Sequence, residues 1–360
     1  MKLLKKGILL MYIALQLISC SDDSSIIKSP AEIIDDILKG NVTSIGSQPD
    51  LVALSAFSFP SDVVVDQNGD IYVADTGDNS IKKITINTSG NYHITTIAGD
   101  GSSNSNDGVG TTASFQSPLT LTFSKDYKTL YVATQIKIRA ININTKEVST
   151  IAGNGSYGST DGIGENAQFK HPSHIITNTN GTVLYVLESE NGIVSTGRIR
   201  KINIANKQVS TLNLTNLPTT FYPQGIVIDS KDEHLYVANW RTILKINLQT
   251  NNATIIAGSD TESGTTNGVG EAARFTSAKS LTFSPHETFL YIGSLGGNYG
   301  IRAINMRTLE VTTVIGNGYG FVNGGASTAQ FKGPYKLNYN NVSNKLYVAD
   351  PSNNAVRVVE

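Results

Sequence analysis

A short apolar segment with tyrosine at its third position recurs six times along the chain: "DIYVAD" at 70, "TLYVAT" at 129, "VLYVLE" at 183, "HLYVAN" at 234, "FLYIGS" at 289 and "KLYVAD" at 345. The tyrosines Tyr72, Tyr131, Tyr185, Tyr236, Tyr291 and Tyr347 stand 59, 54, 51, 55 and 56 residues apart. A period of that length means a stacked or circular array, because one such unit cannot bury its own apolar surface. Any fold proposed for the chain must therefore contain six near-equivalent layers.

Two further landmarks travel with the tyrosine. A Phe-x-x-Pro lead-in precedes it by about a dozen residues, at Phe57 to Pro60, Phe115 to Pro118, Phe169 to Pro172 and Phe331 to Pro334; the fourth copy keeps only Pro223 and the fifth only Phe275. A glycine-rich segment closes most units, as in "TIAGDGSSNSNDGVG" from Thr96. Between these landmarks each unit reads as four short strands, which in the second unit are "LTLTFS" from 119, "TLYVAT", "IKIRAINI" from 136 and "EVSTIAG" from 147. Tyr, Ile, Val, Thr, Asn and Gly are prominent, a composition that favours strands and turns. A four-stranded meander of about 50 residues repeated around an axis is a propeller blade. The expectation is an all-β, six-bladed β-propeller of four-stranded antiparallel blades over residues 41–360.

The chain ends supply a separate argument. The sixth unit stops at Glu360 after "AVRVVE", its third strand, and lacks a fourth. The matching segment lies at the other end, where Asn41-Val42-Thr43-Ser44-Ile45-Gly46 aligns with "EVSTIAG". This N-terminal strand is expected to complete the last blade and to remove the two open edges that an unclosed ring would present.

With "FxxP", "YVAD", a basic third strand such as "SIKKI" or "GRIRKI", and "STIAG" all present, the chain resembles NHL-repeat proteins over residues 41 to 360. The repeat also disposes of a tempting motif. Gly153-Asn154-Gly155-Ser156-Tyr157-Gly158 has the spacing of a dinucleotide fingerprint, but a helix should follow it and the next residues are Ser159-Thr160-Asp161-Gly162. Its copies at 96, 255 and 313 lack the fingerprint, so it is one variant of a repeated turn.

The first residues differ from the rest. Residues 1–19 carry a basic start, an apolar run from Ile8 to Leu17 and the closing Leu17-Ile18-Ser19-Cys20, which resembles a bacterial lipobox. Cys20 is the only cysteine, so no disulfide framework exists, and its expected role is lipidation. Residues 20–40 then read as a tether and a short capped helix starting near Ser29-Pro30-Ala31-Glu32. Asp22 and Asp23 resemble surface-export signals of Bacteroidetes lipoproteins. The implied location is the cell envelope, lipid-anchored at the outer membrane, with the membrane contacted through the anchor only. Cleavage before Cys20 leaves 25 Lys and Arg against 29 Asp and Glu, a balance that argues against nucleic acid as a partner.

Within a blade, connections from fourth to first strand and from second to third emerge on one face. That face carries the long glycine-rich loops and the most variable turns, so it is the expected working surface. Its candidate ligand-binding residues are Trp240, Arg241 and Asn239 in a very short turn, Tyr299 in the next unit, Glu188 and Glu190 as an acidic rim, and His174 near the central channel. Asp107 and Asp161 become Asn267 and Asn323 in later copies, which suits a turn cap rather than a catalytic carboxylate. No Gly-x-Ser-x-Gly elbow is present. The reading is a monomeric binding scaffold for a protein or glycan ligand, without catalytic residues, cofactor or resident metal. The alternative is a lyase or lactonase with Zn²⁺ or Ca²⁺ in the channel, as in relatives of this architecture, although a lone channel histidine cannot complete a zinc set.

Overall fold

The computed structural model describes residues 42–45, 56–87, 91–189, 197–297 and 299–360. Strand β1 (Val42–Ile45) comes first, and blade one follows as β2 (Pro60–Val65), β3 (Ile71–Asp75), β4 (Ser80–Ile86) and β5 (Tyr92–Ala98). Blade two comprises β6 (Gly108–Val109), β7 (Thr120–Phe123), β8 (Thr129–Ala133), β9 (Ile138–Asn142) and β10 (Glu147–Ala152). Blade three has β11 (Gly162–Ile163), β12 (Pro172–Thr177), β13 (Val183–Glu188), β14 (Arg198–Asn203) and β15 (Gln208–Thr211). Blade four has β16 (Gly225–Ile228), β17 (His234–Asn239), β18 (Thr242–Asn247) and β19 (Ala253–Gly258). Blade five has β20 (Gly268–Val269), β21 (Ser277–Phe283), β22 (Phe289–Leu295), β23 (Gly300–Asn305) and β24 (Glu310–Ile315). Blade six has β25 (Lys336–Asn340), β26 (Lys345–Asp350) and β27 (Ala355–Val359). The described residues form six antiparallel sheets and no α-helix.

The tyrosine strands are second in every blade, and both of their faces are covered. Tyr72, Val73 and Ala74 are fully buried, as are Val237 and Ala238 in blade four. Period-two patterning is lost here because each blade is sandwiched between two others, so both sides of the strand meet apolar neighbours. The described core divides into six clusters, each bridging one pair of adjacent blades. One of them joins Val63 and Ile71 of blade one to Tyr347 and Val356 of blade six, so the ring closes.

Closure follows the expected route. Strand β1 pairs antiparallel with β27, Val42 opposite Val359 and Ile45 opposite Val356, and supplies the outer strand of blade six. The expectation of four strands throughout needs one correction. Blades two, three and five have five, because the Gly-Val or Gly-Ile of the preceding loop adds a two-residue strand outside the fourth. The fourth copy of the lead-in also keeps more than its proline. Phe221 sits one residue closer to Pro223 than in the other copies, yet is buried against blade three.

The signal, the tether, the short helix and Cys20 lie outside the described residues. So do Asn41 and Gly46 at the ends of the closing segment.

Candidate binding site at the channel mouth

The repeated loops are held by a buried arginine on the third strand. Arg139, Arg200, Arg302 and Arg357 are fully buried, each over the ring of its own lead-in phenylalanine: Phe115, Phe169, Phe275 and Phe331, at 4.5 to 5.2 Å. Each guanidinium donates to loop carbonyls and to the acidic or amide residue of the Asp-Gly turn. The partners are Asp107 at 2.7 Å, Asp161 at 3.0 Å, Asn267 at 2.9 Å and Asn323 at 2.9 Å. Asp161 also accepts from the amide and hydroxyl of Thr211, which ties the loop to the outer strand. Aspartate and asparagine therefore interchange because an acceptor is what the position needs. In "GNGSYG", Gly153 and Gly155 take positive φ, and the Gly153 amide donates to the Gly164 carbonyl, closing a loop rather than opening a helix.

Blade one uses Lys82 at the arginine position, paired with Asp75 at 2.5 Å and with Asp78. Blade four has Leu244 there, and its leading loop lacks the Asp-Gly turn. Arginine and loop are thus lost together.

The first strands line a central channel, and the proline register builds it in layers. The residue after each lead-in proline, or after Ala278 in blade five, contributes Ser61, Leu119, Ser173, Gln224, Lys279 and Tyr335 to the mouth on the loop face. With Phe59, His171, Pro172, Ser189 and Lys336 they enclose a cavity of about 300 Å³. Phe59, Ser117 and His171 share one register, immediately before proline, and all adopt a positive φ (58°, 51° and 51°). That conformation is costly for a residue with a side chain and concentrates at working sites. Two of the three project into the mouth. Phe59 packs edge-on to Tyr335 at 6.1 Å, and His171 lies 5.1 Å from the Tyr157 ring.

The next layer down is polar and buried. Asp62 accepts from Thr120 Oγ1 and the Leu121 amide, and His174 Nδ1 accepts from the Ile226 amide at 2.9 Å. These side chains satisfy amides on the exposed inner edge of the next blade, a need that explains polar residues in so apolar a ring. Lys336 crosses the channel from blade six, its Nζ donating to the carbonyls of Ser173 at 2.9 Å and Gln224 at 3.3 Å. Lys279 donates to Gln224 Oε1 and lies 4.9 Å from the Tyr335 ring centre.

Burial dominates the electrostatics of this layer. It pushes Lys336 down to about 7, against the attraction of Asp62, and Lys279 down to about 8. The Asp62 carboxyl is raised by burial, with Lys336 opposing. His174 is held well below its ordinary range by burial first and by Lys336 second. A neutral His174 agrees with its role as acceptor at Nδ1.

The expected site residues are scattered. Glu188 is 1% exposed, and its carboxylate faces Arg200 at 3.1 Å and caps the Lys170 amide, so it is no rim group. Burial raises its pKa while Arg200 opposes the rise. Glu190 lies outside the described residues. Asn239 is buried, accepting from the Tyr222 amide and donating to the Thr220 carbonyl. Trp240 is half-buried with a φ of 52°, in a two-residue turn whose carbonyl accepts from Ala278. Arg241 stacks on it at 4.2 Å. Tyr299 pairs with Tyr319 rather than with Trp240. Of the described candidates, His174 alone reaches the channel layer. Lys279, Gln224, Tyr335, Lys336 and Phe59 went unnoticed in the sequence, although the register after the lead-in proline marks the first three and Lys336 follows one position on.

A second cavity, of about 340 Å³, opens at the opposite mouth, lined by Val64, Thr122, Phe123, Lys125 and Asn338 among others. Thr177 there donates to the Phe123 carbonyl of the preceding blade, and plain hairpins surround it. The loop-face mouth gathers two lysines and the rings of Phe59, His171 and Tyr335, and is the better candidate.

The family model described as NHL repeat matches residues 57–84, and that described as Lactonase, 7-bladed beta-propeller, matches residues 142–299. The second match covers parts of blades two to five of a ring that counts six here. Human NHL repeat-containing protein 2 is 23% identical over 90% of this chain and 49% of its own length. The bovine protein of that name is 32% identical over 29% of this chain and 14% of its own. The chain thus spans about half the length of the human relative, and less of the bovine one. A solved Bacteroides thetaiotaomicron protein of unknown function superposes with a TM-score of 0.67 at 16% identity, covering 89% of this chain and 75% of that one. An auxiliary nutrient binding protein from the same organism superposes at 0.63 and 14% identity, covering 84% and 69%.

Proposed function

Since the chain is an NHL-repeat propeller of six blades, we propose that it is an exported binding protein, anchored by lipid at Cys20, which captures a glycan at the loop face. The observation that carries this reading is the aromatic-rimmed cavity where Phe59, Tyr335 and His171 surround the channel mouth. Aromatic rings offer flat apolar faces with little entropy to lose, the surface that a sugar ring packs against. The fold neighbour described as an auxiliary nutrient binding protein supports capture as the mode of action. Anchoring at the outer membrane of a bacterial envelope and a monomeric state complete the proposal, with a protein partner as the competing ligand class.

Glycan-array binding by the purified chain from Ser21 onward tests the reading. Array hits that vanish on Tyr335→Ala in a folded variant support it. A blank array together with capture of a defined protein would replace the glycan.

The lactonase match favours a second reading, hydrolysis at a metal in the channel. The mouth does not fit a divalent cation, because Lys279 and Lys336 place positive charge where one would sit. Among the described residues, the Asp/Glu/His group with ligand spacing is Asp229, Glu233 and His234, on the opposite face. Stoichiometric Zn²⁺ or Ca²⁺ retained through purification, with lactone turnover, would favour the enzyme.

A further inference from the structure

Two lysines share one small cavity in which a single carboxylate, Asp62, acts on Lys336 and none pairs directly with either. Lys279 comes from blade five, Lys336 from blade six, and both line the loop-face mouth. Their hydrogen-bond partners are oxygens of neutral groups: Gln224 Oε1 for Lys279, and the Ser173 and Gln224 carbonyls for Lys336. Among the described residues, neither makes an ion pair. Asp62 is the carboxylate that acts on Lys336, and its oxygens already accept from Val63, Thr120 and Leu121.

An ammonium group has three donors. Lys336 therefore keeps one N–H beyond its two carbonyls, and Lys279 keeps two beyond Gln224. Two buried ammonium groups against one carboxylate raise the free energy of the empty site when both are protonated, and a bound anion relieves both desolvation and repulsion. We propose that the channel mouth binds the carboxylate of a hexuronate-sized ring, clasped between Lys279 and Lys336, with the face of the ring against Tyr335. The cavity of about 300 Å³ is at the lower end of small-ligand sites and suits one sugar unit rather than a chain segment. This inference rests on the loop face being the capture surface and adds the acidic class of sugar.

The charge state of the lysines supplies a signature. Burial lowers both, to about 8 for Lys279 and about 7 for Lys336, so near pH 8 the empty mouth is part-neutral. An incoming carboxylate favours the ammonium forms and draws protons in. The other groups facing Lys336 are Asp62 and His174, and His174 is kept neutral by burial and by Lys336 while its Nδ1 accepts from the Ile226 amide. Proton uptake is thus assigned to Lys279 and to Lys336 together with the Asp62 that faces it.

The test is calorimetric titration at pH 8 of the full ring with galacturonate and glucuronate, against galactose, glucose and acetate. The expected result is binding of the uronates alone, with an enthalpy that changes with the ionisation heat of the buffer. Lys279→Met should weaken the uronates roughly 30-fold or more, while Lys279→Arg retains most of the affinity. Lys336→Met risks the fold because it bridges three blades, so Lys279 carries the decisive comparison and an unchanged melt certifies each variant. Equal binding of neutral sugars and uronates, or uronate affinity indifferent to Lys279→Met, overturns the anion site and leaves the loop-face reading standing. Acetate binding as tight as that of the uronates overturns the ring contact. If no uronate or neutral sugar binds and the glycan array is blank, both fall.

Discussion

Blades two and three obey the repeat at every landmark, whereas blades four and five break it where they meet. In the regular pair, Arg139 and Arg200 lie on phenylalanine and engage Asp107 and Asp161, and Arg200 also neutralises Glu188. The terminal guanidinium nitrogens and the carboxylates of the motif are engaged with one another and with loop carbonyls. In the irregular pair, Leu244 replaces the arginine, Phe221 stands one residue out of step, and Ala278 replaces proline ahead of Lys279. Gln224, Trp240 and Lys279 gather at that junction. Regular repeats spend their chemistry on closing the ring, and the departures leave donors and rings over for a ligand. This is the pattern expected when local rules are broken at functional sites.

The comparison can be broken most forcefully on the scaffold side. Removing residues 41–46 exposes the edge of β27 and takes away the bonds that close blade six, so the single thermal transition should broaden or split. A sharp, unshifted circular-dichroism melt in the truncated protein would show that closure matters less than the register implies.

Arg200→Met comes next. It leaves Glu188 buried without its partner, a change that costs about 3–5 kcal/mol, to be read by urea denaturation. Restoring stability with Glu188→Gln in the same chain would confirm that the stranded charge, not lost packing, is responsible.

On the irregular side, Lys279→Met should leave stability unchanged or slightly raised, since it removes a buried charge. Its pH dependence sharpens the contrast. The unfolded chain holds this proton until about 10.5 and the folded chain until about 8, so between those values the unfolded state binds more protons and stability rises with pH. Lys336, lowered to about 7, acts in the same direction from a lower starting point. Melting temperature should therefore climb between pH 7.5 and 9.5 more steeply in the wild type than in Lys279→Met. Parallel curves would remove Lys279 from the account.

Trp240→Ala addresses the surface around the junction. Glycan affinity should fall while the fold persists, and unchanged affinity would mark Trp240 as a docking contact to blade five. The smallest effect is expected at Asp161→Asn, which installs the residue that two other copies already carry. About 1 kcal/mol or less should be lost, and a larger loss would mean that the copies are not equivalent.

Most of the architecture was legible because it is written six times. Tyr72 and its counterparts give the period, the lead-in prolines give the register, and "NVTSIG" announces the closing strand by its likeness to the fourth strands. The arginine clamp was half legible: basic third strands and the Asp/Asn exchange were visible, but not that one grips the other. The site was the least legible. Glu188 reads as a loop acid, and only the fold turns it inward onto Arg200. Lys279 and Lys336 lie 57 positions apart, and although the lead-in register places each on a first strand, nothing local shows that the two line one cavity.

What the sequence by itself determined is the number of layers, their strand order and the way the ends meet, since these follow from local patterning that each unit repeats. What only the tertiary structure decided is which side chains converge on the axis. Six residues from six blades share one layer at the channel mouth because the ring is closed, and no local pattern states that Lys279 of that layer and Lys336 of the next line one cavity.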